Sequence, residues 1–160
     1  MRILIVYYSK TGNTEKVAQT LAREIGADLE KIIDQKKRNG FIGYFTGGRD
    51  AIKKRLTEIA PLSKKTLEYD LIVMGMPVWG WNLVPAIRTY LAQNNKQIKK
   101  YAFFVTSGDT DAQKLAGHFA EAAGQEAVAL VGFNKKELAG DMIDQNKLKK
   151  FIEQIKNINL

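Results

Sequence analysis

The chain has 160 residues and no cysteine, and its 25 lysines and arginines against 17 aspartates and glutamates give a formal net charge of +8 at pH 7. This length suits one ordinary domain, so we expect a single domain over residues 1–160. The absence of cysteine excludes disulfides, thiolate metal ligands and thiol nucleophiles. The single histidine, His118, leaves little for a zinc site. Chemistry must therefore come largely from a bound cofactor, and we assign no catalytic residue and no metal site.

The positive charge is carried mainly by lysines, many of them in pairs, which are spread along the whole sequence. Nucleic-acid-binding proteins usually concentrate arginines and aromatic side chains on one face. We therefore interpret the positive charge as solvated surface and expect no nucleic-acid partner. No apolar run approaches membrane-spanning length, and the apolar start is too short for a secretion signal. We therefore expect a cytoplasmic protein with no membrane span.

Apolar runs typical of strands alternate with patterns typical of helices. The predicted strands are, in chain order, residues 3–8, 28–33, 71–76, 102–106 and 127–133. Apolar residues at helical spacing mark a helix after each of them, over residues 17–25, 51–59, 84–91, 115–123 and 148–155. An aromatic, glycine-rich segment, 40–48, leads into the second helix.

This alternation predicts an α/β fold, a doubly wound five-stranded parallel sheet with helices on both faces. Four of the apolar runs are continuous and indicate interior strands, whereas residues 28–33 carry charges and suit an edge. Right-handed crossovers then favour the strand order 2-1-3-4-5. In that order the loops after the first, third and fourth strands meet at one edge of the sheet, where such folds bind ligands.

The first of these loops connects a strand directly to a helix. Its residues are Ser9, Lys10, Thr11, Gly12, Asn13 and Thr14. Amides at such a turn point at one spot, and the helix dipole makes that spot attractive to an anion. The loop lacks the glycine and lysine pattern of nucleotide-hydrolysing proteins and the three glycines of dinucleotide binding, so a terminal monophosphate fits better. Simple capping of the helix by Thr11 or Asn13 is the alternative.

The second loop holds both tryptophans of the chain. Its residues are Pro77, Val78, Trp79, Gly80, Trp81 and Asn82. Two indoles in one loop expose considerable apolar surface unless they meet something flat and apolar, such as a planar ring system. Alternatively, one indole folds over the edge of the core, or the second anchors a protein interface.

The third loop offers amides and hydroxyls to the polar edge of a ring. Its residues are Thr106, Ser107, Gly108 and Asp109, followed by Thr110 and Asp111. The alternative is an ordinary turn in which Thr110 or Asp111 caps the next helix. The loop gains significance only from its predicted convergence with the other two.

Taken together, the three loops resemble those of flavodoxin and its relatives, and the resemblance covers essentially the whole chain. Residues 9–14 are similar to the family's loop for the phosphate of flavin mononucleotide (FMN). Residues 77–80 resemble the loop that packs an aromatic side chain on the isoalloxazine ring, and residues 107–109 the loop that holds its pyrimidine edge. The resemblance implies a flavodoxin-like fold, FMN as cofactor, and residues 9–14, 77–82 and 106–109 as its binding site.

Two features depart from the family. Many flavodoxins have a tyrosine after the third loop that covers the outer flavin face, whereas residues 110–113 here contain no aromatic side chain. Either Trp81 or one of Phe41, Tyr44 and Phe45 replaces it, or that face is open to a substrate. The family's electron carriers are also markedly acidic, whereas this chain is basic.

The resemblance implies an FMN-binding redox protein that performs flavodoxin-type electron transfer with redox partner proteins. The alternative is an FMN-dependent NAD(P)H or quinone reductase, with a small planar electron acceptor on the open ring face. A third hypothesis is a non-redox domain that binds a phosphate ligand or a partner. We favour the carrier over the reductase because no substrate-binding arginine is evident, and we interpret Arg49 and Arg55 as surface charge.

Overall fold

The computed structural model describes residues 1–36, 40–108, 111–138 and 143–158, without the side chains at positions 40, 41, 42 and 44. The strands are β1 (Ile3–Tyr7), β2 (Asp28–Lys31), β3 (Leu71–Pro77), β4 (Tyr101–Ser107) and β5 (Ala129–Asn134). The α-helices are α1 (Asn13–Ile25), α2 (Gly40–Ile52), α3 (Pro85–Asn94), α4 (Ala116–Ala123) and α5 (Gln145–Lys156). Short 3₁₀ turns occupy Thr66–Glu68, Asn95–Gln97 and Ala112–Leu115.

The five strands form one parallel sheet in the order β2-β1-β3-β4-β5, which confirms the predicted fold class. The register pairs Tyr7 with Gly75 and Pro77 with Thr106. The carboxyl ends of β1, β3 and β4 therefore lie side by side. Since β2 is added on one side of β1 and β3 on the other, the topological switch point lies between β1 and β3. This edge is where open α/β sheets bind ligands.

Apolar residues fill both faces of the sheet. On one face, Leu4 and Phe103 lie in a core shared with α3 and α4. On the other, Ile5 and Phe104 lie in a core shared with α1 and α5. Since helices cover both faces, the strands read as continuous apolar runs rather than alternating ones.

The pattern of one strand differs from its position in the sheet. The continuous apolar run 127–133 indicated an interior strand, but β5 lies at the edge opposite β2, as the predicted strand order requires. Leu130 packs against one core and Val131 against the other. The strand needs apolar residues on both faces because both are covered, even though one side of its backbone has no neighbouring strand.

The second helix also lies elsewhere than expected. The spacing of residues 51–59 predicts a helix there, but α2 ends at Ile52, and Lys54 has a φ of 52°. Ile59 instead forms an antiparallel bridge with Asp34. The first part of α2 was not predicted because it contains several glycines, which disfavour helices. One of them, Gly47, allows the helix to pack closely against Trp79.

Within the part of the chain that the structure describes, no helix has both the length and the apolar character needed to cross a bilayer.

Candidate functional site

The start of α1 leaves several backbone donors without a partner in the helix. Gly12 precedes the helix with a φ of 91°, a conformation that glycine adopts without strain. Its carbonyl accepts the first helical hydrogen bond, from the Lys16 N–H at 2.9 Å. The N–H groups of residues 13–15 therefore have no helical acceptor, and no side chain caps the helix at Gly12. This geometry favours an anion site over the capping alternative.

Two side chains of the first loop shape this donor cluster. Ser9 Oγ accepts the Gly12 N–H at 3.1 Å, which leaves the hydroxyl proton of Ser9 to donate elsewhere. Lys10 is exposed, and its Nζ lies 5.7 Å from the centroid of the Trp79 ring. The loop thus presents a hydroxyl and a cation beside the amides.

One carboxylate in the first turn of α1, that of Glu15, is hydrogen-bonded to side chains of β1 and β2. Glu15 accepts a hydrogen bond from the Tyr7 hydroxyl at 2.9 Å and from Lys31 Nζ at 3.0 Å. The pKa of Glu15 is lowered mainly by the hydrogen bond from Lys31 and next by the one from Tyr7. Burial, and secondly the hydrogen bond to Glu15, raise the pKa of Tyr7 to about 12. Because Lys31 forms an ion pair with Glu15, the negative charge of Glu15 repels an anion at the first loop only weakly.

Two hydrogen bonds bring the three loops together. The hydroxyls of Thr14 and Thr106, which are 2% and 5% exposed, lie 2.8 Å apart. The Val78 N–H donates to the Thr106 carbonyl at 3.0 Å. The hydroxyl of Thr14, a residue of the loop predicted to bind a phosphate, is thus engaged inside the fold, and only its backbone N–H remains for the anion site.

The second loop makes a tight turn with an unusual backbone. The Asn82 N–H donates to the Trp79 carbonyl at 3.2 Å, and Gly80 and Trp81 both have positive φ, 56° and 58°. Two positive φ values are typical of a type I′ turn. For Trp81 this conformation costs about 1 to 2 kcal/mol.

The two indoles of this turn separate. Trp79 is 5% exposed and lies in the core, with its ring 5.5 Å from that of Tyr8 in an edge-to-face contact at 85°. Trp81 is 58% exposed, and Lys114 Nζ lies 5.3 Å from the centroid of its ring. The alternative in which one indole folds over the edge of the core therefore describes Trp79, and Trp81 is the indole that the turn leaves exposed.

A buried arginine, which the sequence analysis did not identify, fixes the end of this turn. Asn82 Oδ1 accepts from Arg88 Nη2 at 2.7 Å and from the Leu83 N–H at 2.8 Å. Burial lowers the pKa of Arg88, and its Nε has no hydrogen-bond partner among the described residues. The sequence did contain a signal for this residue, because Arg88 lies four positions after Val84 and therefore on the apolar face of the predicted helix, where a charged side chain is unusual.

The third loop is only partly described. Asp109 and Thr110 lie outside the described residues. Asp111 Oδ1 accepts the Gln113 N–H at 2.9 Å and so caps the turn Ala112–Leu115. Phe41 and Tyr44, two candidates for covering a ring, lie on α2 with their side chains outside the described part, and Phe45 is exposed.

The expected site residues fall into three groups by exposure. The exposed ones are Lys10, Thr11, Gly12, Asn13, Gly80, Trp81 and Gly108. The half-buried ones are Ser9, Pro77, Val78 and Ser107. The buried ones are Thr14, Trp79, Asn82 and Thr106. The buried residues fix the conformation of the three loops, and the exposed residues form the surface of these loops at the edge of the sheet.

Several solved structures share this fold. A flavoprotein of Lactobacillus acidophilus NCFM, solved in complex with FMN, is 26% identical and aligns over 94% of this chain and 98% of its own, with a TM-score of 0.74. Flavodoxin 2 of Bacillus cereus is 19% identical over 99% and 100% of the two chains, with a TM-score of 0.55. The flavodoxin of Megasphaera elsdenii is 16% identical over 98% and 99%, with a TM-score of 0.57.

No protein-family model matches the sequence, and no curated protein matches it. The similarity to flavodoxins and flavoproteins nevertheless extends over nearly the full length of the chain, with the same five-stranded sheet. The resemblance drawn from the three loops is therefore confirmed, and the fold is flavodoxin-like.

Proposed function

We propose that this chain, whose fold is that of the flavodoxins, binds FMN at the rim formed by its three loops and transfers electrons through it. The observation that carries the proposal is the group of uncapped N–H donors at the start of α1, held beside the other two loops by Thr14 and Thr106. The FMN complex of the Lactobacillus acidophilus flavoprotein, which aligns with 94% of this chain, supports the choice of ligand.

The first loop would hold the phosphate. The backbone N–H groups of residues 13–15, together with the hydroxyls of Ser9 and Thr11, supply donors to its oxygens. Lys10 adds a positive charge that favours a dianion. Charge-assisted hydrogen bonds of this kind are about twice as strong as neutral ones, so most of the affinity should come from this end.

The second and third loops would hold the ring. When bound, FMN supplies the redox chemistry, since its ring accepts one or two electrons. Trp79 supports the turn from the core side, and Gly80 allows its backbone to approach closely. The Trp79 carbonyl is engaged by Asn82, which favours the carbonyls of Val78 and Gly80 as acceptors for a proton on the ring.

Binding is tested by titrating FMN and riboflavin separately into the purified protein and following flavin fluorescence. We expect quenching by FMN and at least about tenfold weaker binding of riboflavin, which lacks the charged acceptor of the first loop. Thr11→Val should weaken FMN binding about tenfold and leave riboflavin binding unchanged. Thr20→Val, in the middle of α1 and away from the first loop, is the matched control. Unquenched FMN fluorescence in the wild-type protein would rule out the proposal.

A reductase is the second candidate function. It is favoured by the residues after the third loop, because the turn Ala112–Leu115 contains no aromatic side chain to cover the outer ring face. Steady oxidation of NADH or NADPH by the FMN-loaded protein in the presence of a quinone would establish this function. Reduction only by light or by a redox protein would support the carrier.

A further inference from the structure

We propose that an apolar patch with a cationic rim, next to the second loop, docks an acidic redox partner protein. The patch, here called the docking patch, consists of Phe45, Ile52 and Trp81, and its rim of Arg49, Lys53 and Lys114. The inference rests on the proposed function, because the patch adjoins the loop proposed to hold the flavin ring.

The apolar part of the docking patch is unusually exposed. Phe45 is 63% exposed, Ile52 62% and Trp81 58%. A hollow of about 380 Å³ is lined by Phe45, Gly48, Arg49, Ile52, Lys53 and Gly80, the last of which directly precedes Trp81. Contiguous exposed apolar residues of this kind mark interaction sites.

The patch is continuous with the second loop. A Cβ at Gly80 would lie 2.7 Å from Ile52 Cγ1, so the turn packs directly against α2. The turn holds Trp81 outward at a positive φ, a conformation that costs free energy without burying the indole. Tryptophan is among the most frequent anchors of protein interfaces, and contact with a partner would recover that cost.

The rim of the patch carries the positive charges of Arg49, Lys53 and Lys114. Among the residues that the structure describes, no carboxylate lies within ion-pairing distance of Arg49 or Lys53. The neighbouring acids are already paired: Asp50 is buried and bonded to Lys36 at 2.8 Å, and Glu121 is bonded to Lys54 at 2.6 Å. A partner with carboxylates around an apolar centre would complement this surface.

A second copy of the chain fits less well. It would bring the same cationic rim against itself, and the whole chain carries a net charge of +8. Like charges across an interface are costly. We therefore commit to an acidic protein as the occupant.

The test uses the FMN-loaded, photoreduced protein and two haem proteins as electron acceptors, the acidic cytochrome b5 and the basic cytochrome c. Stopped-flow absorbance gives the second-order rate constant at several ionic strengths. With cytochrome b5 we expect the rate constant to fall at least about tenfold from low to high salt, and with cytochrome c to stay level or rise. A rate with cytochrome b5 that does not depend on salt would overturn the proposal.

Charge-matched variants separate local docking from the overall charge. Lys53→Glu should lower the low-salt rate with cytochrome b5 about tenfold, whereas Lys96→Glu should change it less than about twofold. Lys96 is an exposed lysine of the 3₁₀ turn Asn95–Gln97, before β4 and thus at the opposite end of the sheet. Equal effects of the two substitutions would contradict a docking patch.

The apolar contact is tested at high salt, where charges are screened. Ile52→Ser should slow electron transfer to cytochrome b5 about threefold or more, and Leu67→Ser, an equally exposed residue on the turn Thr66–Glu68, should not. If Ile52→Ser instead alters only the reduction of a small quinone such as menadione, the hollow is a small-molecule site and the docking proposal is wrong. It is also wrong if sedimentation shows a dimer that Ile52→Ser dissociates.

The FMN dissociation constant and the flavin potential of each variant are measured first. A protein that does not bind FMN contradicts the proposed function. Normal FMN binding with identical rates for Lys53→Glu and Lys96→Glu contradicts only the docking patch. The two failures are therefore distinguishable.

Discussion

The hydroxyls of Thr14 and Thr106 lie 2.8 Å apart in the interior and join the start of α1 to the end of β4. The two residues are 92 positions apart in the chain. This contact, with the bond from Val78 to the Thr106 carbonyl, positions the first and second loops beside the third.

We expect Thr14→Val and Thr106→Val each to lower the free energy of unfolding by about 1 to 3 kcal/mol, because each leaves one buried hydroxyl without its partner. The double variant should lose less than the sum of the two, since it leaves neither hydroxyl behind. Urea unfolding of the four proteins gives the coupling energy. Strict additivity would mean that the two hydroxyls do not interact.

Two adjacent glycines of α2 should respond oppositely to alanine. A Cβ at Gly47 would lie 2.7 Å from Cζ3 of Trp79, whereas a Cβ at Gly48 would meet nothing within 4 Å. We expect Gly47→Ala to destabilise the protein by about 1 to 3 kcal/mol through overpacking, and Gly48→Ala to stabilise it by about 0.5 to 1 kcal/mol through helix propensity. Thermal unfolding followed by circular dichroism compares them, and equal shifts would contradict the packing of α2 on Trp79.

Gly80 should be far less tolerant of alanine than Gly108. Gly80 has a φ of 56°, and an added Cβ would approach Ile52 Cγ1 to 2.7 Å, whereas a Cβ at Gly108 would meet nothing within 4 Å. Gly80→Ala should therefore cost about 1 to 3 kcal/mol of stability, and Gly108→Ala should be nearly neutral. Chemical denaturation of both variants measures this, and a neutral Gly80→Ala would argue against the turn as described.

Stability should fall in alkaline solution. Burial raises the pKa of Tyr7, Tyr90 and Tyr101 from 10.0 to about 12 in the folded chain. Above about pH 10 the unfolded chain loses these protons while the folded chain keeps them, so the free energy of unfolding decreases up to about pH 12. Urea unfolding across this range should show the decrease, and Tyr101→Phe should make it less steep. A constant free energy across the range would contradict the raised pKa values.

Lys10 should contribute to FMN binding through its charge. Lys10→Met keeps the aliphatic stem but removes the cation from the rim, so we expect the FMN dissociation constant to rise about threefold to tenfold. The flavin potential should become more negative, because a nearby cation favours the added electrons. Lys96→Met, far from the rim, is the control for charge. Fluorescence titration and equilibrium photoreduction against a reference dye measure the two effects, and unchanged values would remove Lys10 from the site.

Much of the fold could be predicted from the sequence because its signals are local. Continuous apolar runs identified the strands, the charged segment that became β2 identified an edge, and the right-handed crossover rule then gave the strand order. That order alone predicted which three loops meet. The residue pattern of β5 did not itself indicate the edge position that this order gives the strand, because a strand covered on both faces has the same pattern at the edge as in the interior.

The sequence by itself determined the sheet, its order and the composition of the three loops, since these depend on residues close together in the chain. Only the tertiary structure decided that Trp79 is buried and Trp81 exposed, that Arg88 holds Asn82, and that the hydroxyl of Thr14 serves Thr106 rather than a ligand. Each of these outcomes depends on contacts between distant elements. Which of two chemically identical side chains finds a partner is therefore settled by packing, which the local pattern of residues does not record.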